Sequence, residues 1–138
     1  MIVVDTNIIA YLYLESDRST QVERLLEKDP RWSAPLLWRS EFRNVLALYI
    51  RKGYLSLEEA QDILREALML MKGQEYEVAS FQVMEFVASS ECSAYDCEFV
   101  ALADDLGIPL VTADKRILKA FPDISVSLDS YVDQADGL

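Results

Sequence analysis

Leu106-Gly107-Ile108-Pro109-Leu110-Val111-Thr112-Ala113-Asp114 reads as the end of a helix, a sharp stop, a buried strand and an acid just past the strand's carboxyl end. Gly107 and Pro109 halt a helix expected over 93–106, whose inward face carries Phe99, Val100, Ala103 and Leu106. Leu110-Val111-Thr112 is short and apolar on both faces, the pattern of a strand covered by two layers. The chain opens in the same way. Ile2-Val3-Val4 is a second doubly buried strand, closed by Asp5-Thr6-Asn7 and followed by an apolar helix over 8–14.

Outward from these two segments, Thr20-Gln21-Val22-Glu23 is a capping-box pattern that opens a helix closed by Pro30, with a short strand expected over 32–34. Ser40 is the expected cap of a helix reaching Arg51, in which Phe42, Val45, Leu46 and Tyr49 form one stripe. Ser56-Leu57-Glu58-Glu59 is another capping box, with Leu57, Ala60, Ile63, Leu64, Ala67, Leu68 and Met71 at helical spacing behind it. These two helices are expected to form an αα-hairpin. A brief strand over 76–78, helices over 81–88 and 115–120, and a last strand over 124–126 complete the pattern. The tail beyond Leu128, carrying Asp129, Asp133 and Asp136, is expected to be solvated or frayed. Strands alternate with helices throughout, so the expected class is α/β with a mostly parallel sheet.

The length of 138 residues suits one domain. Twenty-four Asp and Glu oppose 13 Lys and Arg, and without any His the formal net charge is -11. At face value that argues against a partner built of phosphates. The lack of His also removes catalytic triads with an imidazole base and zinc sites with a His ligand. Catalysis would have to rest on carboxylates, hydroxyls, Lys or a metal. Hydrophobic residues make up 51% of the chain, with four Gly and four Pro, so a packed core is expected. Cys92 and Cys97 are too few for a disulfide framework and are expected as reduced thiols. The first residues lack the basic region of a signal peptide, and the longest apolar run, 8–14, falls far short of the ~20 residues that span a bilayer. The chain is therefore expected to be cytoplasmic.

Open parallel sheets bind ligands beyond the carboxyl ends of their strands. Asp5 and Asp114 fall there, and Glu41 and Asp96 sit in the expected first turns of their helices, at the same end if those helices are crossovers. Each acid also has a purely structural reading. Asp5 and Asp114 would cap helices, Asp96 would complete the Ser93-x-x-Asp96 box, and Glu41 would complement a helix dipole. If the four converge, each raises the proton affinity of its neighbours, and a divalent cation offsets the repulsion. An all-oxygen donor set favours Mg²⁺ or Mn²⁺, and two such ions roughly 3.5–4 Å apart form a clamp for in-line displacement at phosphorus.

Val3-Val4-Asp5-Thr6-Asn7, Ser40-Glu41, Tyr95-Asp96-Cys97-Glu98-Phe99-Val100-Ala101-Leu102-Ala103 and the 106–114 segment, in this order and spacing, resemble the PIN-domain family of metal-dependent ribonucleases. The likeness is closest to the VapC-type toxins of toxin–antitoxin pairs. The resemblance implies a PIN-like three-layer sandwich around a central five-stranded parallel sheet, with Asp5, Glu41, Asp96 and Asp114 as the acidic site. It ties Asp5 and Asp96 most directly to Mg²⁺, with Thr6, Asn7 and Thr112 orienting the carboxylates. It also implies an RNA substrate, a homodimer and a small VapB-like antitoxin that crosses the site.

The resulting expectation is a Mg²⁺-dependent endoribonuclease leaving 5′-phosphate and 3′-hydroxyl ends, since a cyclic-phosphate route prefers a His base. One alternative is a Mg²⁺-dependent phosphohydrolase that forms an aspartyl phosphate. Such enzymes open with Asp-x-Asp, and Asn7 stands at the second position. Another is a metal-binding module without catalysis. Arg39, Arg43, Lys115 and Arg116 flank Glu41 and Asp114 and are candidates for phosphate contact, although surface charge is the simpler account of each. Tyr11, Tyr13 and Trp38 are candidate stacking surfaces or core aromatics. Glu98, Asp104 and Asp105 are extra acids on or near the Asp96 helix, with solvated surface the favoured account of Asp104.

Overall fold

A computed structural model of the chain describes residues 1–134. Its first strand β1 (Ile2–Val4) leads into helices α1 (Thr6–Tyr13) and α2 (Ser19–Lys28), then β2 (Trp32–Pro35), α3 (Leu37–Arg51) and α4 (Leu57–Leu70). Strand β3 (Glu75–Tyr76) precedes α5 (Ser80–Ala88) and α6 (Ala94–Leu106). The chain then runs through β4 (Leu110–Thr112), α7 (Lys115–Ala120), β5 (Ser125–Ser127) and α8 (Leu128–Asp133).

The five strands lie in the order β3-β2-β1-β4-β5, and every pairing is parallel. The expected mostly parallel sheet is thus wholly parallel. Because parallel neighbours need crossovers, every strand is followed by helix, and right-handed crossovers place the helices on both faces. Helix α6 packs over β1, β2 and β4, while α1 packs on α2, α3 and α4. Strands β1 and β4 are sealed between these layers: Ile2, Val3, Val4, Leu110 and Val111 have no exposed surface.

The strand order reverses beside β1. Connections from β1 run outward through β2 to β3, whereas β4 continues outward on the other side to β5. The carboxyl ends of β1 and β4 therefore flank a crevice of the kind that open α/β sheets use for ligands.

Several local expectations need correction. Thr20 does not open α2; the helix starts at Ser19, whose Oγ accepts from Ser16 N–H at 3.0 Å and donates to the Tyr11 carbonyl at 3.0 Å. Helix α3 begins at Leu37, so Ser40 is not its cap. The reason is burial: Trp38 has no exposed surface and extends the Phe42–Leu46 stripe by one turn. Glu41 consequently lies in the second turn, beyond the reach of the dipole effect proposed for it. Strands β3 and β5 are shifted by one residue from their expected starts. The capping box at Ser56 is present in full, with Ser56 Oγ accepting from Glu59 N–H and Glu59 Oε1 from Ser56 N–H. Leu57, placed on the inward stripe by its spacing, is 64% exposed.

The segment beyond Leu128, expected to be solvated or frayed, is helical, with Asp129 and Asp133 on its exposed side. Leu128 and Val132 are buried as α8 packs on α2, β4 and β5, and Asp129 Oδ1 accepts from Gln21 Nε2 at 2.8 Å. Asp136 lies outside the described residues. Cys92 and Cys97 are free and buried. Among the described residues, no helix is long and apolar enough to cross a membrane. If α8 is integral to the core, Leu128→Ala should cost about 2–5 kcal/mol in urea unfolding. A change within about 0.5 kcal/mol, as for a surface site, would count against that packing.

Candidate active site

At the strand-order reversal lies a cleft of about 230 Å³ lined by Asp5, Thr6, Asn7, Glu41, Asn44, Val45, Asp96, Phe99 and Asp114. The four acids singled out in the sequence thus reach one cleft from four different elements. Asp5 and Asp114 come from the ends of β1 and β4, Glu41 from α3, and Asp96 from the first turn of α6.

Asp5 is the most constrained of them. It is the N-cap of α1, where Oδ1 accepts from Ile8 N–H at 3.1 Å. Its Oδ2 accepts from the Thr112 hydroxyl, whose oxygen in turn accepts from Asp114 N–H at 3.0 Å. Thr112 is fully buried and so ties the ends of β1 and β4 together through one hydroxyl. The capping account of Asp5 and its place in the cleft are compatible, because each carboxylate oxygen serves one of them. Asp114 is similar: Oδ1 caps α7 by accepting from Arg116 N–H at 2.8 Å, and the same side chain lines the cleft.

Glu41 is half-buried and accepts from the Thr6 hydroxyl at 2.7 Å. Asp96 follows the Ser93 N-cap, whose Oγ accepts from Asp96 N–H at 3.0 Å. Asn7 lines the cleft and is exposed.

Electrostatics follow from this crowding. Burial pushes Asp5 from an ordinary value near 3.8 up to about 6; the Thr112 and Ile8 hydrogen bonds oppose the rise, and Asp114 and Asp96 add to it. Glu41 is raised by burial and by Asp96, against the Thr6 hydrogen bond. Asp96 is raised by burial and then by Asp114, with Ser93 and Arg116 pulling the other way. Glu98 is raised by burial and by Glu41.

The family model described as the PIN domain matches residues 2–122. The chain belongs to the PIN-domain family. Ribonuclease VapC3 of Pyrobaculum aerophilum is 30% identical to this PIN domain over 124 residues, spanning 88% of the chain and 95% of the relative. The crystal structure of PAE2754 from the same organism superposes with a TM-score of 0.75 at 17% identity, over 95% of this chain and 92% of that one. A toxin–antitoxin complex from Klebsiella pneumoniae gives a TM-score of 0.65 at 16% identity, over 93% of this chain and 98% of that one. Both structures share the fold.

The donors in this PIN-domain cleft are carboxylate, hydroxyl and amide oxygens, which suits a hard divalent cation. Among the described residues, however, no three ligating side chains close on one point. The carboxylates line an open cleft and do not form a cage, an arrangement compatible with Mg²⁺, which keeps several waters and takes one or two protein carboxylates.

The other sequence candidates are less uniform. Arg39 is committed elsewhere: Nε and Nη2 both donate to Glu75, at 2.5 and 2.6 Å, and Trp38 Nε1 joins them at 2.8 Å. Arg43 donates to Ser40 Oγ at 3.1 Å and borders an apolar groove between α3 and α4. Lys115 and Arg116 are exposed on α7. Trp38 is fully buried and Tyr11 and Tyr13 pack against the core, so these aromatics are structural. Asp104 is exposed and accepts from Gln82 Nε2 at 2.9 Å, and it lines a groove with Gly107, Pro109 and Asp123, beside the amino ends of β4 and β5. Asn44, Val45 and Phe99 line the cleft unforeseen, although Asn44 follows Glu41 and Phe99 follows Asp96 by three residues, the spacing of one helix face.

The Asp5 shift fixes a pH dependence. Its folded value lies above the unfolded one, so the folded state binds the proton more tightly, and stability falls as pH rises from about 4 to 6. Above that window the buried charge costs on the order of 3 kcal/mol. Asp5→Asn removes the charge and keeps an acceptor. Without divalent cations, the variant should melt above the wild type at pH 8, with the gap closing by about pH 4. Coincident melting of the two proteins at every pH would refute the buried-charge account.

Proposed function

We propose that the chain is a divalent-metal-dependent endoribonuclease, the toxin of a toxin–antitoxin pair. The observation that carries this reading is the meeting of Asp5, Glu41, Asp96 and Asp114 in one cleft at the strand-order reversal. Kinship with a ribonuclease of VapC type, at 30% identity over most of both chains, supports the substrate class. The toxin–antitoxin complex from Klebsiella pneumoniae, which shares the fold, supports a small antitoxin as a partner, and a second copy of the chain is proposed beside it.

Asp5 and Asp96 would hold the ion, Mg²⁺ or Mn²⁺, with Glu41 and Asp114 completing the acidic surround. When bound, the ion supplies positive charge and Lewis acidity at the scissile phosphate. The protein's own groups do the rest. Thr112 and the Ile8 N–H keep Asp5 oriented and favour its ionised form against burial. Glu41, held by Thr6 and raised toward neutrality by burial, is suited to exchange a proton with the substrate or with water. The exposed amides of Asn7 and Asn44 offer donors to phosphate or base oxygens. A cyclic-phosphate route would prefer an imidazole base, which the chain lacks, and this favours products with 5′-phosphate and 3′-hydroxyl ends.

An aspartyl-phosphate mechanism is disfavoured because both Asp5 oxygens already accept hydrogen bonds and Asn7 replaces the second acid. Asp5→Asn and Asp96→Asn should each lower cleavage of a labelled RNA by more than about a hundredfold, the scale for losing even an outer partner of a metal ligand. Circular dichroism should show the fold retained. Undiminished cleavage in both folded variants would reject the assignment. Mn²⁺ titration calorimetry separates a binding module from an enzyme: saturable binding without cleavage of any RNA would leave only the former.

A further inference from the structure

A groove of about 310 Å³, distinct from the acidic cleft, lies between the 89–92 segment and α7, and its lining includes Ser90, Glu91, Cys92, Arg116 and Lys119. Cys92 Sγ donates to the Arg116 carbonyl at 3.9 Å, which joins the two walls. The groove borders the acidic cleft through Arg116. That residue follows Asp114 by two positions, its N–H is capped by the Asp114 carboxylate, and its charge bears on Asp96.

Lys115, Arg116 and Lys119 are all exposed, and among the described residues none of the three has an ion-pair partner. With 24 acids for 13 bases in the chain, three unpaired cations within one six-residue helix are a local reversal of the overall charge. Arg116 and Lys119 are three residues apart, so they share a helix face, and it is these two that line the groove. Glu91 is the one acid in that lining, against two cations. A guanidinium fork beside an ammonium point charge is suited to phosphate oxygens.

We propose that this groove is a backbone subsite for single-stranded RNA, in which Arg116 and Lys119 hold a phosphate next to the one placed in the acidic cleft. The inference rests on the ribonuclease reading and adds the path of the strand, from the carboxylate cleft across the start of α7. The contact is to phosphate, so it positions the strand without reading its bases. It also answers the repulsion between a polyanion and a cleft of four carboxylates, because the cations lie beside the acids and not on a remote face.

The test is the salt dependence of binding of a fluorescein-labelled oligouridine, followed by anisotropy in an Asp96→Asn background with Mg²⁺ present. That background stops cleavage and removes any effect of Arg116 that passes through the Asp96 charge. Arg116→Gln with Lys119→Gln should weaken binding and flatten the slope of log affinity against log salt by about 1.4, two contacts at ~0.7 each. Lys119→Gln alone should give about half that change. Arg31→Gln with Lys72→Gln is the matched control. It alters net charge equally, but each of those residues lies just ahead of a strand, at the sheet edge opposite the cleft. An unchanged slope in the α7 variants, or equal flattening in the control pair, overturns the subsite and leaves the ribonuclease reading intact. If the wild-type chain neither binds nor cleaves RNA, both fall.

Discussion

Asp5 carries a carboxylate into the middle of the sheet's carboxyl edge, only 8% exposed, and the surrounding elements are arranged around the cost of keeping it there. A buried carboxylate is tolerable only when hydrogen-bonded or neutralised. Two donors meet it, one from the first turn of α1 and one from the end of β4. The second is decisive for the architecture, because Thr112 also receives Asp114 N–H and so fixes the start of α7 relative to β1. Moving either strand by one residue would point that hydroxyl to the other face and leave Asp5 without it. The hydrogen bonds reduce the burial penalty without removing it, as the rise to about 6 indicates. The remainder is a standing affinity for positive charge, whether a proton or a cation.

That argument explains why the acids were legible in sequence. Asp5 and Asp114 each follow a strand whose three residues are apolar enough to identify it, and the position after a parallel strand is itself the information. Asp96 was legible through the Ser93 cap, a local signal of helix start. Glu41 was legible by its likeness to a family pattern but misread locally, since α3 begins a turn before Ser40. What set that start was the burial of Trp38 against the core, a tertiary fact absent from the capping chemistry of the segment. Helix α8 escaped for a related reason. Its three polar or acidic outward residues dominate the composition, while Leu128 and Val132, four apart, are the two contacts that matter.

The cations show the limit of proximity along the chain. Arg39 lies two residues from Glu41 and Arg116 two residues from Asp114, so sequence distance ranks them equally. The fold separates them. Strand β3 brings Glu75 to Arg39 from 36 positions away, and the bidentate pair leaves that guanidinium committed, with the buried Trp38 indole sharing the same carboxylate. Replacing Arg39 would therefore disturb the edge of the sheet as well as the surface charge. Among the described residues no carboxylate forms an ion pair with Arg116, whose charge acts on Asp96 in the cleft and which shares its groove with Glu91.

A net charge of -11 is thus a poor guide to what the protein can bind. Eight of the 13 bases lie within 11 positions of Glu41 or Asp114, yet nearness in sequence does not make them a binding surface. What matters at a Debye length of about 8 Å is whether a cation is both unpaired and adjacent to the site. Arg39 fails the first condition. Arg31 and Lys72, at the far edge of the sheet, fail the second. Arg116 meets both, and Lys119 extends its charge one turn along α7. The acids of the cleft and the bases of the neighbouring groove then act on different parts of one strand. The first favour a cation at the scissile position, and the second hold the phosphate beside it, so an acidic protein retains a local route for a polyanion.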